Sequence, residues 1–571
     1  MTVKATHLII GGGSAGCVLA NRLSENPAHQ VVLIEAGGDF APDQTPSDIL
    51  DTYAGRAMGN INYFWDGFSV RRGSTPHLSV AQQQPIRYEQ ARVIGGGSSI
   101  NGQVALRGTP DDFERWHALG ATGWDWQGVL PYFRKLEKDY DFDDALHGRD
   151  GAIPIRRFFR EEWDNFTAAV VGRWEAQGYQ YRRDMNGMFE DGFYPIPVSN
   201  DGEQRVSTAI GYLTSAVRQR ANLHILARTE VQRLLFDGLR ATGVEVLDQQ
   251  GQKLRLESDK VILAAGVFRS PWLLMNSGIG PGAHLAEHGV PVLLDRHGVG
   301  ENLQDHPLIS ISAYLPPRAR NKIAQRRNFA YLRYTSGLAD DRESDMIMMA
   351  ICKSSWHAIG RRIGTMSANL GYAFSRGTVR LSAPGASTAA SAPGPDVAFN
   401  WLSDARDRAR IVDAFKRMAG ILRSQQVAPY AYDPFPSSYS ARVRIIQQNT
   451  IKNASLTQIG AALMAVSGPL RRYLIDHYIR DAPPLDTLLA DPEALEAYVC
   501  ANIGTTFHPC GTCKMGSLDD PEAVVDFAGR VIGTEGLFVA DASVMPEITR
   551  TNTNIPTIMI AEKLADTIGK L

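Results

Sequence analysis

The first fifty residues alternate between apolar runs and turns in a way that predicts strand, helix and strand. The apolar run 8–10 is too short for a buried helix and predicts a buried strand. Between residues 15 and 23 the apolar positions follow i, i+3, i+4 and i+8, the spacing of one helix face, and Pro27 ends this predicted helix. The run 31–34 predicts a second buried strand that ends at Glu35.

A Gly-x-Gly-x-x-Gly turn joins the first predicted strand to the helix. Gly11 permits the tight turn, Gly13 lets a pyrophosphate approach the backbone, and Gly16 lets the helix pack on the strand. Glu35 follows Gly16 by 19 residues, close to the ~20 expected for a carboxylate that bonds a ribose hydroxyl. The order predicts a bound dinucleotide with its phosphates at the helix N-terminus, and it does not distinguish NAD from FAD.

The pattern of a buried strand followed by small or acidic residues returns twice later in the chain, and a different pattern separates these two occurrences. A buried strand is predicted at 261–264, followed by small residues, and another at 537–540, followed by Asp541. A helix with Pro556 in its first turn is predicted near the end of the chain. Residues 305–500 instead mix strand-like pieces with long helical runs around 404–426 and 456–478. Because nucleotide-domain pieces occur at both ends of the chain, we expect a second, α+β unit to be inserted between them.

Two irregular segments near the N-terminus have two interpretations each. The aromatic-rich stretch 39–85 is either a cover over a ligand or an ordinary packed excursion. The second glycine cluster, 95–97, fits a backbone that passes close to a flat ligand, and taken alone it also fits a plain turn.

Composition narrows the class of protein. A chain of 571 residues with net charge −2 gives no reason to expect nucleic acid or an anionic membrane as partner. Five cysteines argue against a disulfide framework, and no run of about 18 apolar residues occurs. We therefore expect a soluble, cytoplasmic protein with two or more domains. A basic segment is either a solvated face or an acidic-substrate site; its charged residues are Arg318, Arg320, Lys322, Arg326, Arg327 and Arg333.

Four separated segments together resemble one known family. They are the opening unit 11–35, the segment 92–101, the segment 266–280, and the segment 508–516 with its continuation 552–556. The chain resembles the glucose–methanol–choline (GMC) oxidoreductases, which are FAD-dependent alcohol oxidases and dehydrogenases. Within that family it is similar to the bacterial 5-hydroxymethylfurfural and aryl-alcohol oxidase group, and the resemblance covers nearly the whole chain.

The resemblance implies the fold and its division. It implies an α/β, Rossmann-like FAD-binding domain of GMC type with an inserted α+β substrate domain built on an antiparallel sheet. The FAD-binding domain would comprise residues 1–155, with 39–85 as a lid, together with 216–305 and 501–571. The substrate domain would comprise 156–215 and 306–500.

The resemblance also implies FAD rather than NAD as the cofactor. The residues expected to bind it are Gly11, Gly13, Ser14, Ala15, Gly16, Glu35, Ala36, Arg92, Gly96, Ser99, Asn101, Gly102, Val231, Ala265, Gly266, Asp541, Ala542, Asn552, Asn554 and Pro556. Some family members attach FAD to a histidine just after the Gly-Gly-x-Ser-Ser segment. Because that position is Ile100 here, we expect non-covalent FAD.

Alcohol oxidation requires a base for the hydroxyl proton while a hydride passes to the flavin. His508, in the matching motif, is the predicted base, since the ordinary pKa of histidine lies near working pH. The second family position, His or Asn, falls on Asn554, which is also the expected helix N-cap. Because an amide does not titrate, His508 alone would control the pH dependence. The predicted substrate pocket contains Tyr63, Phe64, Trp65 and Phe507.

We predict no metal site. Cys510 and Cys513 near His508 form a possible zinc or thiol redox pair, but the second cysteine pair of a structural zinc site is missing. The predicted function is oxidation of a primary alcohol, aromatic or furanic, to the aldehyde with O2 as acceptor. The alternatives are a dye- or quinone-linked dehydrogenase of choline or pyridoxine type, a hydroxynitrile lyase, a light-driven decarboxylase and a flavin-binding module without catalysis.

Overall fold

The computed structural model describes residues 5–73, 83–320, 328–382, 394–447 and 450–571. The strands of these residues are β1 (Ala5–Ile10), β2 (Val31–Ile34), β3 (Ser69–Val70), β4 (Ile86–Arg87), β5 (Glu137–Asp139), β6 (Ile153–Ile155), β7 (Gly192–Pro195), β8 (Leu223–Leu226), β9 (Glu230–Asp237), β10 (Arg240–Leu247), β11 (Lys253–Leu263), β12 (Ile279–Gly280), β13 (Leu294–Asp295), β14 (Pro307–Tyr314), β15 (Asn328–Tyr334), β16 (Met346–Ile351), β17 (Ile363–Leu370), β18 (Thr378–Leu381), β19 (Pro395–Ala398), β20 (Tyr432–Pro436), β21 (Gly504–Thr505) and β22 (Leu537–Val539).

The helices of the same residues are α1 (Ser14–Leu23), α2 (Ser47–Leu50), α3 (Gly97–Ile100), α4 (Pro110–Ala118), α5 (Trp126–Leu136), α6 (Asn165–Ala176), α7 (Thr208–Tyr212), α8 (Ser215–Arg218), α9 (Gly266–Asn276), α10 (Gly282–Glu287), α11 (Ala405–Arg423), α12 (Ala441–Ile446), α13 (Ile451–Val466), α14 (Gly468–Leu474), α15 (Leu485–Ala490), α16 (Pro492–Asn502) and α17 (Asn554–Ile568). A π-helical turn, Ile475–Ile479, follows α14. No helix in the described parts of the chain combines the length and the apolar content that a bilayer crossing requires.

The first sheet has the order β8-β2-β1-β11-β10-β9, with β22 beside β11. Its centre is parallel, since β1 pairs in parallel with β2 and β11, and β11 also pairs in parallel with β22. The side chains of β2 are buried on both faces, as the short apolar runs of the sequence predicted. The carboxyl ends of β1, β2, β11 and β22 therefore meet at one edge, where the glycine turn begins.

The second sheet is antiparallel, with the order β20-β14-β17-β16-β15-β7 and with β21 beside β14. Every residue of β16 and β17 is buried, so both faces of this sheet are covered. Helices α6 and α11 pack against one side of it. The predicted combination of a nucleotide-binding type of α/β unit with an antiparallel sheet is confirmed.

Helices from the two ends of the chain pack against each other beside the first sheet. Helices α1 and α17 pack together, and the fully buried carboxylate of Glu562 lies between them. Arg22 Nε donates to it over 2.8 Å, and the Tyr212 hydroxyl donates over 2.8 Å. A buried charge is tolerated only when it is paired and hydrogen-bonded in this way. The contact brings the N-termini of α1 and α17 to the same region.

One short strand crosses the predicted domain boundaries. Strand β21 lies within the segment 501–571 that was assigned to the FAD-binding domain, yet it pairs with β14 of the second sheet. His508 follows this strand by three residues. The second sheet therefore helps to position the predicted base. The division of the chain into domains itself stays a prediction.

Candidate active site

A cavity of about 770 Å³ lies between the two sheets. Its lining comes from the glycine turn, from the carboxyl ends of β1, β2, β11 and β22, and from residues of β14 to β17. Ligand sites of α/β proteins form at this edge of the sheet, outside the carboxyl ends of the strands.

The glycines of the first turn have different structural roles. Gly11 has φ 103°, and a Cβ there would lie 2.5 Å from the carbonyl oxygen of Ala264. A Cβ on Gly16 would lie 1.8 Å from the carbonyl oxygen of Gly11, so both positions require glycine for packing. A Cβ on Gly13 would meet its nearest atom only at 3.9 Å, which leaves the backbone open to the cavity. Helix α1 has no side-chain cap, so its first N–H groups are available to an anion.

The carboxylate of Glu35 is fixed at the end of β2. Its Oε2 accepts from the N–H of Gly12 over 2.8 Å, and its Oε1 accepts from the N–H of Gly37 over 2.7 Å. Burial raises the pKa of Glu35, while these two backbone donors act in the opposite direction. Glu35 and Ala36 both line the cavity, where a ribose hydroxyl could reach the remaining lone pairs.

Asp541 has the corresponding position at the end of β22. Its Oδ2 accepts from the N–H of Gly266 over 2.9 Å and from the hydroxyl of Ser270 over 2.6 Å. These bonds connect β22 to the first turn of α9. Asp541 thus fixes the wall where Ala265 and Gly266 reach the cavity.

Most of the residues predicted to bind the cofactor line this one cavity: Gly11, Gly13, Ser14, Ala15, Glu35, Ala36, Gly96, Asn101, Gly102, Val231, Ala265, Gly266, Asp541, Ala542, Asn552 and Asn554. Four of the predicted residues are not part of the lining: Gly16, Arg92, Ser99 and Pro556. Arg92 Nε donates to the carbonyl of Ala36 over 3.3 Å, and the Ser99 hydroxyl donates to the carbonyl of Ile94 over 2.7 Å. These two side chains support the wall from behind.

His508 makes contacts with both ring nitrogens. Its Nε2 lies 2.9 Å from Nδ2 of Asn552. Its Nδ1 lies 2.8 Å from the hydroxyl oxygen of Thr506 and 3.0 Å from Nδ1 of His306. The backbone N–H of His508 donates to Asp305 Oδ1 over 3.0 Å, which fixes the segment. The imidazole is therefore held at both ring nitrogens by three partners beside the cavity.

One arrangement of protons satisfies all of these contacts. The Asn552 amide nitrogen is a donor, so Nε2 of His508 accepts and its Nδ1 carries the proton. Thr506 donates its hydroxyl to the carbonyl of His306 over 2.9 Å, which leaves the hydroxyl oxygen to accept from Nδ1–H of His508. His306 donates its Nε2–H to the carbonyl of Gly371 over 3.2 Å, and its Nδ1 is then an acceptor as well. Neutral His508 thus carries its lone pair on Nε2 at the cavity wall, where the Asn552 amide occupies it until a substrate hydroxyl takes that place.

The surroundings of His508 keep it neutral. Burial and then the neighbouring His306 lower the pKa of His508 well below its ordinary value of 6.5. Burial also lowers the pKa of His306, to about 4. A histidine with a lowered pKa is already deprotonated at neutral pH and can accept a proton.

We expect this lowered pKa to remove any pH step in flavin reduction from the neutral range. The rate constant measured by anaerobic stopped flow should stay constant between about pH 7 and about pH 9, because His508 is fully neutral throughout. A rate that increases several-fold across this range would contradict the lowered pKa. The rate should fall only in acid, where His508 gains its proton.

The structure does not place the side chain of Asn554, the predicted partner of His508, against His508. The Asn554 side chain accepts from the hydroxyl of Ser14 over 2.8 Å, so it connects the N-termini of α17 and α1. The amide beside His508 belongs to Asn552, two residues earlier and outside the helix. The sequence Asn-Thr-Asn offered two amides, and choosing between them required the exact position of the helix start.

The structure brings three of the four residues predicted for the substrate pocket to the lining of this cavity. Phe507 lines the cavity directly before His508, with φ 61°, and its ring lies 5.0 Å from that of Tyr88. Phe64 lines the cavity as well. Tyr63 does not, because it is buried and its hydroxyl donates to Asp48 Oδ1 over 2.8 Å.

Trp65 lies at the Glu35 end of the cavity. The guanidinium groups of Arg269 and Arg92 lie 3.2 Å and 4.5 Å from the centre of its ring. Arg269 also lies 3.5 Å from Glu230, whose neighbour Thr229 donates its N–H to the carbonyl of Glu35. The aromatic stretch 39–85 therefore covers the predicted adenosine end, although its residues 74–82 lie outside the described part.

Side chains of the second sheet form a chamber that the sequence did not reveal. Apolar groups come from β15 and β16, and hydroxyl and amide groups come from β14 and β17; these residues are Tyr331, Ile347, Met349, Ile351, Ser310, Thr365, Ser367 and Asn369. The described lining between residues 308 and 502 contains no Asp, Glu, Lys or Arg. The alternation of serine with apolar residues in β14 was the signal that could have indicated a half-polar face.

The two cysteines that the sequence singled out and the described charged residues of the basic segment do not line the cavity. Cys510 and Cys513 are fully buried, and burial raises the pKa of both thiols, which disfavours the thiolate that a metal or a redox step needs. In the basic segment, Arg318 donates to the carbonyl of Pro429 and Arg333 donates to the carbonyl of Met188. Lys322, Arg326 and Arg327 lie outside the described residues.

Comparison with known proteins identifies relatives along the whole chain. Two family models described as GMC oxidoreductase match residues 5–308 and 373–561. The 5-(hydroxymethyl)furfural oxidase of Methylovorus sp. is 38% identical, and the match covers 98% of this chain and 98% of that protein. The oxygen-dependent choline dehydrogenase of Rhizobium rhizogenes is 32% identical, covering 99% and 96%.

A solved structure agrees with these matches. The crystal structure of pyridoxine 4-oxidase from Mesorbium loti is similar with a TM-score of 0.78 and 27% identity, covering 99% of each chain. The resemblance inferred from the four sequence segments is confirmed.

Proposed function

The chain belongs to the GMC oxidoreductase family as an FAD-dependent alcohol oxidoreductase, and we propose that it oxidises a flat, uncharged primary alcohol to the aldehyde. The observation that carries this proposal is the pairing of His508 Nε2 with Asn552 Nδ2 at the edge of a chamber whose described lining between residues 308 and 502 has no charged side chain. The pair supplies one proton acceptor and one hydrogen-bond donor to the same substrate oxygen.

The residues around the cavity fit FAD. Gly13, Gly97 and Gly102 leave open backbone at its surface, since a Cβ at the last two would meet nothing within 4 Å. Helices α1 and α17 direct uncapped N-termini toward it, which suits a pyrophosphate. Glu35 and Ala36 would hold the ribose, and Ser14 with Asn554 would hold the phosphates. When bound, FAD supplies the acceptor for a hydride from the alcohol carbon.

His508 and Asn552 have separate tasks in the proposed reaction. The neutral His508 removes the hydroxyl proton through Nε2, which the hydrogen bonds of Nδ1 to Thr506 and His306 keep in the accepting form. Asn552 donates through Nδ2 to the same oxygen as negative charge develops on it. An amide donor fixed in advance stabilises this charge without reorganisation.

The lining of the chamber favours a neutral substrate. A quaternary ammonium such as choline would be buried there without a carboxylate partner in the described lining between residues 308 and 502. An aromatic or furanic ring can instead pack against Tyr331, Met349 and Ile351, while Ser367 and Asn369 face a second polar substituent. We propose O2 as the acceptor, with a soluble dye or quinone as the alternative to be tested.

We expect a panel of alcohols to rank in the order that this chamber implies. Under anaerobic mixing, benzylic and furanic alcohols should bleach the oxidised-flavin absorbance faster than choline or glucose. Faster turnover of choline or glucose would contradict the proposed substrate class. Product formation with an unchanged flavin spectrum would indicate a lyase and contradict the oxidation itself. The same panel with O2 and with a dye separates oxidase from dehydrogenase.

We propose that the FAD is not covalently attached. Ile100 lines the cavity at the position where a histidyl link would form, and a hydrocarbon side chain cannot form one. Precipitation of the protein with acid should therefore release all the flavin into the supernatant. Flavin that stays in the pellet would show another attachment and contradict this proposal.

A further inference from the structure

Helix α13 has the opposite orientation to that of an ordinary amphipathic surface helix. Its buried residues are Asn453, Thr457, Ala461 and Met464, which are polar or small with one exception. Its largest aliphatic side chains point to the solvent. A surface helix normally buries its large apolar stripe against the core. The described chain therefore leaves this apolar stripe uncovered.

The exposed apolar surface extends over the neighbouring elements. Eight of the twenty-one large apolar residues that are exposed in the described chain lie between residues 445 and 478. We call them the α13 face: Ile445, Ile451, Leu456, Ile459, Leu463, Val466, Tyr473 and Tyr478. Ile451 is 89% exposed and Val466 is 71% exposed. Leu456, Ile459, Leu463 and Val466 share one face of α13 by their spacing, and an exposed apolar stripe of this kind marks an interaction site rather than scattered exposure.

The helix is attached to the protein by its inner side. Gly460 lies so close to the connection between β16 and β17 that a Cβ there would be 2.9 Å from Cδ1 of Ile359. Arg362 donates to the carbonyl of Ala461, and Asn453 Nδ2 donates to the carbonyl of Ile445 over 3.0 Å. These contacts occupy the polar and small residues. The apolar side is consequently turned outward by the fold itself.

The charge around the α13 face is mainly positive. Between residues 441 and 475 the sequence contains Arg442, Arg444, Lys452, Arg471 and Arg472 and no Asp or Glu, although the whole chain has net charge −2. Asp433 pairs with Arg471 and also lies 3.2 Å from Arg472, which remains 58% exposed. Asp476, just beyond this stretch, pairs with Arg480 over 2.7 Å. Asp433 and Asp476 are thus both engaged in ion pairs.

We propose that the α13 face docks on lipid bilayers that contain anionic lipids. Leu456, Ile459, Leu463 and Val466 would enter the boundary between headgroups and acyl chains, with Lys452 and Arg472 at the headgroups. A second copy of the chain is a poorer partner, because a two-fold contact would place the two basic rims against each other. The net charge of −2 for the whole chain does not reveal this local cluster of basic residues.

A smaller cavity beside the α13 face adjoins the main cavity and would open next to the docked membrane. A cavity of about 170 Å³ beside the face is lined by Arg442, Val443 and Tyr478. It shares Ser354, Tyr439 and Gln447 with the lining of the main cavity. The bilayer would therefore lie next to a passage that leads toward the chamber.

Flotation of the FAD-loaded, full-length protein with vesicles tests the proposal. The protein should float with phosphatidylcholine vesicles that contain roughly 30% phosphatidylglycerol, and not with pure phosphatidylcholine. The double variant Ile459→Glu/Leu463→Glu should lower the bound fraction at least about tenfold. Its matched control is Leu239→Glu/Leu254→Glu, because these leucines are 43% and 44% exposed and lie elsewhere on the surface.

Both variants should retain FAD absorbance and lipid-free alcohol oxidation, which shows that they fold. Equal flotation of both variants would overturn the proposal, and so would wild-type binding no greater than to pure phosphatidylcholine. A lipid-free wild-type dimer that Ile459→Glu/Leu463→Glu converts to a monomer would also overturn it, since a second copy would then cover the face. None of these outcomes depends on the identity of the alcohol substrate.

Discussion

Replacement of His508 by alanine should lower the rate constant for flavin reduction by about 10²–10⁴-fold, the usual contribution of a general base. The proton acceptor is Nε2 of His508, which lies beside Asn552 at the cavity. No other imidazole nitrogen of the described site lies beside Asn552 and can accept a proton. The change should leave FAD bound, because the predicted cofactor contacts at Gly13, Glu35 and Asp541 do not involve His508. Anaerobic stopped flow with a benzylic alcohol measures the rate.

A matched control separates loss of the base from general damage. His297 is an exposed histidine that does not line the cavity, so His297→Ala should reduce its flavin at the wild-type rate. FAD content and thermal stability should be measured for both variants. If His508→Ala holds its FAD and is reduced at close to the wild-type rate, another group acts as the base and the proposed mechanism is wrong.

The parts of the fold that rest on short stretches of sequence were predictable. The turn of Gly11, Gly13 and Gly16 and the carboxylate of Glu35 follow local rules of backbone conformation and helix packing. Their partners are encoded within about 25 residues of sequence. Local motifs therefore predicted these contacts at one end of the cavity before any tertiary contact was known.

The chamber depended on contacts between distant segments. Strand β14 pairs with β17, and β15 pairs with β16 and β7, so the side chains that face the cavity are set by antiparallel register. A shift of one residue in that register would reverse every side chain. Tyr63 and Trp65 illustrate the same limit, since both are aromatic residues of one loop, yet only Trp65 reaches the cavity.

Helix α13 shows a different limit. A helical run from 456 to 478 was predicted, but Ser467 and Pro469 divide it into α13 and α14. Hydrophobic periodicity assigns large aliphatic residues to the core, and in α13 they face outward. Periodicity alone therefore predicted the helix and could not predict its orientation.

Replacement of Asn552 by alanine should lower flavin reduction by about 10²–10³-fold, the cost of losing one donor to a developing oxyanion. The amide is the group within 2.9 Å of His508 Nε2, so both would contact the same substrate oxygen. Asn554→Ala is the matched control. It removes the bond to Ser14 and should weaken FAD retention by about 1 kcal/mol, with a near-normal rate once FAD is saturating.

Asn552→Asp should change the pH dependence as well as the rate. A carboxylate beside Nε2 favours the protonated imidazole, so it raises the pKa of His508 from its lowered wild-type value. Below that raised pKa, His508 holds a proton and cannot accept another. Reduction of this variant should therefore be slow in the neutral range and increase with pH, whereas the wild type stays level. A pH-independent Asn552→Asp, or a larger loss in Asn554→Ala than in Asn552→Ala, would remove Asn552 from the mechanism.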